Sequence, residues 1–240
     1  MTIQWFPGHM HKAQLQIKEA QPTVDLFVEI LDARIPFSSQ NPLLTELRGR
    51  KPCIKVLNKS DLADPELTRT WLTYFNQAEG IKAVAVTTSM VKQIRRLGDI
   101  CVDMCPEKRD AGKMVTGMIV GIPNVGKSSI INLLAGRKVA KTGNEPAVTK
   151  NQQRIKVDDG FVLLDTPGVM WPNVENRNSG YRLAVTGAIK ETALDYPDVA
   201  HFLSGFLLKH FPDALMARYE FESLPEDALQ LLDMLGAKRG

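Results

Sequence analysis

Apolar and polar positions along the chain fall into blocks that switch between two periods. Near the start, Met10, Ala13, Ile17 and Ala20 recur at spacings of three and four with Lys12, Gln16 and Lys18 off that line, which predicts a helix with one buried stripe. Val24 to Asp32 (VDLFVEILD) is dense in β-branched and aromatic residues and predicts a buried strand. Pro36, Asn41 and Pro42 mark a loop, and Leu43 to Leu47 suits a short helix. Strand-like runs return at Cys53 to Leu57, Ala83 to Val86, Thr116 to Val120, Arg154 to Val157 and Phe161 to Asp165. Between them, Pro65 to Asn76 sets Leu67, Trp71, Leu72 and Phe75 on one helical face, and a helix after the third strand runs to about Cys105. Pro106 to Lys113 reads as a charged connector and Lys138 to Asn151 as a polar loop. Asp158-Asp159-Gly160 is a hairpin turn between the last two strands.

Beyond Gly168 the strand pattern stops. Leu183 to Ala193 predicts a helix. Asp195-Tyr196-Pro197-Asp198 looks like a cap for the apolar positions Val199, Phe202, Leu203, Phe206 and Leu207. Ser223-Leu224-Pro225-Glu226 fits a capping box for a last helix that Gly236 would end. Strands alternating with helices predict an α/β domain with a mostly parallel, three-layer sheet over residues 1–175, and a small all-α domain over residues 176–240.

Composition changes this picture little. With 240 residues and 44% hydrophobic content the chain can bury a substantial core, and a net charge of +3 does not by itself announce a nucleic-acid partner. Its distribution says more: Arg137, Lys138, Lys141, Lys150, Arg154 and Lys156 face a single acid, Glu145, across residues 137–156. Cys53, Cys101 and Cys105 are an odd number of thiols with no metal-ligand partners nearby in sequence, which fits buried cysteines in a reducing compartment. No apolar run approaches the ~18 residues of a membrane span and no secretory leader pattern opens the chain, so a cytoplasmic protein is expected.

The chemistry concentrates in three motifs. Gly121-Ile122-Pro123-Asn124-Val125-Gly126-Lys127-Ser128 follows the run Met118-Ile119-Val120 and opens the helical segment Ile130 to Ala135. That is the strand, loop and helix context of a phosphate-binding loop. Successive backbone N–H groups, including those of Val125, Gly126 and Ser129, converge on phosphate oxygens at a helix N-terminus; Lys127 reaches the β/γ-phosphates and the Ser128 hydroxyl ligates Mg²⁺. Asn58-Lys59-Ser60-Asp61 ends the second strand, in the crevice where α/β sheets bind ligands. A carboxylate only accepts hydrogen bonds, so Asp61 matches the ring N–H and amine of guanine and rejects adenine; the nucleotide is GTP or GDP. Thr87 and Thr88, at the end of the third strand, are expected beside the base. Asp165-Thr166-Pro167-Gly168 ends another strand, with Asp165 expected to hold Mg²⁺ through water and the Gly168 N–H to read the γ-phosphate. Thr149 is the candidate for a second Mg²⁺ ligand.

The order of these motifs is unusual. Ras-like GTPases run phosphate loop, switch threonine, D-x-x-G, N-K-x-D; here N-K-x-D comes first, so the domain is circularly permuted. This order, with Trp5-Phe6-Pro7-Gly8-His9-Met10, Asp32-Ala33-Arg34-Ile35-Pro36 and the motifs above, resembles the YlqF/RbgA family over essentially the whole chain. The resemblance implies a permuted GTPase that assists late assembly of the large ribosomal subunit and contacts rRNA, with turnover stimulated by that partner. The expected molecule is a monomer that meets neither membrane nor DNA. Members of that family usually continue past the position of Gly240 with further helical sequence. Val169 stands where many GTPases carry a water-orienting glutamine, and the resemblance implies that His9 takes over that task. Asn124, within the phosphate loop, is the candidate ligand for K⁺ as an extra positive charge. Two other functions compete: a nucleotide-switched binder of a protein partner, and an enzyme with separate chemistry in the helical part. The second is disfavoured because that part offers no paired carboxylates and its His201 and His210 read as packing residues.

Overall fold

A computed structural model describes residues 5–140 and 152–239. Six strands form one sheet among these residues: β1 (Leu26–Asp32), β2 (Cys53–Asn58), β3 (Ile81–Ala85), β4 (Val115–Val120), β5 (Gln153–Lys156) and β6 (Phe161–Asp165). Their order is β3-β2-β1-β4-β6-β5, all parallel except β5, which pairs antiparallel with β6. The period of two assigns the faces of the central strands. Leu26, Val28 and Ile30 of β1 join Val115 and Ile119 of β4 in one apolar cluster, while Phe27 joins Met118 and Val120 in a second on the opposite face. β1, β2 and β4 are buried at every position, as expected of parallel strands covered on both sides.

Helices cover both faces. In chain order they are α1 (Gly8–Ala20), α2 (Pro36–Ser39), α3 (Pro42–Arg48), α4 (Pro65–Asn76), α5 (Val91–Arg95), α6 (Leu97–Asp103), α7 (Pro106–Asp110) and α8 (Lys127–Ala135). The C-terminal helices are α9 (Arg177–Val185), α10 (Tyr196–His210), α11 (Pro212–Tyr219) and α12 (Ala228–Arg239). The stripe of α1 is buried as its spacing requires, through Met10, Ala13 and Ile17. Helix α9 packs against α2 and α10, and its Leu183 and Ala184 are part of the same apolar cluster as β1 and β4. No helix among the described residues is long and apolar enough to cross a membrane.

β6 and α4 match their sequence-predicted ranges. The hairpin turn is as expected, with Asp158 Oδ1 accepting from the N–H groups of Gly160 and Phe161, both at 2.8 Å. The helix expected to run to Cys105 breaks at Arg96 into α5 and α6, and the charged connector contains α7. The helix expected at Leu183–Ala193 starts and stops earlier, because Asn176 caps it through Ser179 N–H (3.0 Å) and Gly187 turns left-handed at φ 77°. Asp195 does cap α10, accepting from Asp198 N–H. The last helix is capped by Asp227, whose Oδ1 accepts from Leu229 and Gln230 N–H at 2.9 Å each, and Gly236 lies inside it. His201 and His210 are exposed; His210 rests on Phe206 with ring centroids 4.6 Å apart.

Candidate functional site

The phosphate loop leaves β4 at Gly121 and enters α8 at Lys127. Two glycines make its path possible. At Gly121 (φ 148°) a Cβ would lie 2.5 Å from the Ile30 carbonyl oxygen, and at Gly126 (φ 97°) 2.3 Å from Asn58 Nδ2. Lys127 is buried and its Nζ donates to the carbonyls of Gly121 (3.0 Å) and Ile122 (2.7 Å). Burial pushes its pKa down to about 8, against the pull of Asp165. Ser128 and Ser129 follow on the first turn of α8, half-buried.

Asp165, at the end of β6, is 2% exposed. Burial pushes its carboxyl up to about 6, opposed by Lys127 and by the Thr166 N–H. Its Oδ1 is buried with no hydrogen-bond partner among the described residues. Gly168 is pressed against the loop: a Cβ there would come 2.9 Å from Pro123 Cα and 3.0 Å from Lys127 Nζ. Val169 donates its N–H to the Gly121 carbonyl (3.2 Å), and its carbonyl accepts from Asn41 Nδ2 (2.8 Å). Its side chain is buried in the second apolar cluster.

The N-K-S-D motif is bonded directly to the phosphate loop. Asn58 Nδ2 donates to the Val125 carbonyl (2.7 Å) and Lys59 Nζ to the Asn124 carbonyl (2.9 Å). Ser60 N–H donates to the Val86 carbonyl (3.1 Å), which brings the motif beside Thr87 (buried) and Thr88 (exposed). Asp61 is exposed at the rim. Asn124 has φ 59° and donates from Nδ2 to the Gly187 carbonyl (2.7 Å), tying the loop to the segment after α9.

The structure thus brings together Asn58, Lys59, Lys127, Asp165 and Gly168 around Gly121–Ser128. His9 is exposed on the first turn of α1, its ring 6.2 Å from that of Trp5, with no hydrogen bond to the loop among the described residues. Thr149 lies outside the described residues. Sequence reasoning gave no role to Asp32, which also holds Lys59 Nζ (3.0 Å). Its signal was available: an Asp at a strand end, two residues before an Arg, level with the N-K-x-D strand.

A phosphate loop, a D-x-x-G and an N-K-x-D converging at the carboxyl ends of a parallel sheet define a P-loop GTPase, here circularly permuted. Comparison with known proteins agrees. A family model described as 50S ribosome-binding GTPase matches residues 116–202. Ribosome biogenesis GTPase A of Priestia megaterium is 46% identical over 100% of this chain and 86% of its own length. Mitochondrial ribosome-associated GTPase 1 of Ictalurus punctatus is 36% identical over 98% of this chain and 78% of that protein. Among solved structures, GNP-bound YlqF from T. maritima aligns at a TM-score of 0.57 and 26% identity, covering 89% of this chain and 78% of the other. The GDP-bound form of YlqF aligns at 0.59 and 23%, covering 93% of each chain, and supports the fold. The chain belongs to the ribosome biogenesis GTPase A (YlqF/RbgA) family.

Proposed function

We propose that the protein binds and hydrolyses GTP while assisting late assembly of the large ribosomal subunit, with turnover stimulated by that subunit. The observation that carries the nucleotide reading is the pair of bonds from Asn58 and Lys59 to the carbonyls of Val125 and Asn124, which fixes base-reading and phosphate-reading motifs to one another. Asp61 would accept from guanine, with Thr87, Thr88 and Ser60 beside the base. The N–H groups of Asn124 to Ser129 would meet the phosphates. Lys127 would exchange its loop carbonyls for phosphate oxygens, a substitution that also relieves the cost of burying its charge.

Among the described residues the Ser128 hydroxyl and the Asp165 Oδ1 suit Mg²⁺ and would hold it, with Thr149, outside those residues, as the proposed further ligand. When bound, the ion offsets charge on the β- and γ-phosphate oxygens. Asn124, whose Nδ2 donates to the Gly187 carbonyl, would hold K⁺ through its amide oxygen. Val169 cannot orient water, being apolar and buried, so His9 on the first turn of α1 would have to be delivered to the site by the partner. The exposed Arg137, Lys138, Arg154 and Lys156 would face rRNA phosphates, giving an affinity that falls steeply with salt. A division at residue 175 puts α9, which shares the sheet's core, at the seam with the helical domain.

Base recognition is tested by Asp61→Asn. An amide donates where the carboxylate only accepts, so GDP affinity should fall by about 100-fold and xanthosine diphosphate binding should appear, consistent with losing a charged hydrogen-bond partner. Unchanged GDP affinity, measured by titration calorimetry, would refute the assignment.

A further inference from the structure

Lys59 is held from two sides. Its backbone sits in the left-handed region (φ 61°, ψ 35°), which a lysine adopts only when its surroundings enforce it. From there Nζ donates to the Asn124 carbonyl of the phosphate loop (2.9 Å) and to Asp32 Oδ2 (3.0 Å). Asp32 ends β1 and pairs in register with Asn58 of β2, so its side chain emerges at the same edge of the sheet as the N-K-S-D motif. Its carboxylate is 2% exposed and fully engaged. Arg34 grips it with Nε to Oδ1 (2.9 Å) and Nη2 to Oδ2 (2.7 Å), and the Arg34 N–H adds a third bond to Oδ1 (3.1 Å). Burial works against the charged form, but Arg34 and Lys59 outweigh it and hold the carboxyl below its ordinary range.

We propose that Asp32 is a positioning residue for nucleotide binding: kept ionised and oriented by Arg34, it aims the Lys59 ammonium at the phosphate loop. A free lysine tip on a four-carbon stem would sample many rotamers, whereas a two-point, charge-assisted clamp selects one. Asp32 itself touches neither base nor phosphate in this scheme. It acts through Lys59, so its effect vanishes when Lys59 is absent. This inference rests on the reading of Lys59 as part of the nucleotide site.

The test is a double-mutant cycle on GDP affinity, measured with a fluorescent GDP analogue, using Asp32→Asn, Lys59→Met and the double variant. Asp32→Asn should weaken binding by about ten-fold, the loss expected for one charge-assisted bond. It should add nothing to Lys59→Met. Arg34→Gln, at a half-exposed position that folding tolerates more readily, should weaken binding by about three-fold, again only when Lys59 is present. In steady-state hydrolysis titrated with GTP, KM should rise in both variants while kcat, read at saturation, stays within about two-fold, a split that a general loss of structure does not produce. Effects of Asp32→Asn and Lys59→Met that multiply, or an Arg34→Gln effect that persists without Lys59, would overturn the clamp while leaving Lys59 in the site. Unchanged affinity in Lys59→Met would overturn both.

Discussion

Asp165 and Lys127 are both ionisable and both buried and attract one another, and burial outweighs that attraction in each case. The consequences for stability have definite signs. Asp165 titrates near 6 in the folded chain against 3.8 when unexposed to burial, so between those values the folded state holds more protons than the unfolded one and stability falls as pH rises. Lys127 titrates near 8 against 10.5, so between those values the unfolded state holds more protons and stability rises with pH. The pair therefore burdens the nucleotide-free protein most between about pH 6 and 8. Asp165→Asn should stabilise the nucleotide-free protein at pH 7 by about 3 kcal/mol, at roughly 1.4 kcal/mol per pKa unit, and should flatten its stability profile between pH 4 and 6. Urea unfolding across that range checks both. The same substitution should abolish Mg²⁺-dependent turnover. Loss of stability on substitution would show that Asp165 is held by partners within the fold rather than reserved for a cation.

Among the elements, the strands and α4 were legible because burial on one or both faces writes its period directly into apolar positions. β6 and α4 have their predicted bounds for that reason. Helices whose ends are decided by local bonds were not legible. The sequence pattern points to Ser223 as the cap of α12, and the geometry shows that Asp227 makes the bonds instead. Gly236 looks like a terminator, yet it lies within α12 with open space around its Cβ position. Asp227→Ala should cost about 1 kcal/mol and Gly236→Ala should stabilise by up to about 1 kcal/mol, whereas Ser223→Ala should be nearly neutral. Thermal melts distinguish these from the reverse ordering expected of a helix starting at Ser223. In the site, the glycines and N-K-S-D were readable because their chemistry is local in sequence. The Asp32–Lys59 and Asn124–Gly187 bonds were not, because they join residues 27 and 63 positions apart.

At the level of the whole molecule, permutation changes what the switches pull on. The segment after Gly168 does not return to the sheet. It leads to α9, which is tied to the rest by a Ser38–Ser179 hydroxyl bond (3.0 Å) and by the Asn124 bond to Gly187. A change in loop conformation on GTP hydrolysis would reach the C-terminal helices through these two bonds. The buried Val169 leaves no water-orienting side chain directly after D-T-P-G, so the isolated protein should turn GTP over slowly and wait for its partner. The most direct test is steady-state GTP hydrolysis in K⁺ buffer, with and without purified large ribosomal subunits, with His9→Ala and a Na⁺ exchange run in the same assay. At least a ten-fold acceleration by the subunits is expected, of the kind a completed catalytic site supplies, and its loss in His9→Ala and in Na⁺. Turnover that is equally fast without subunits would contradict that expectation.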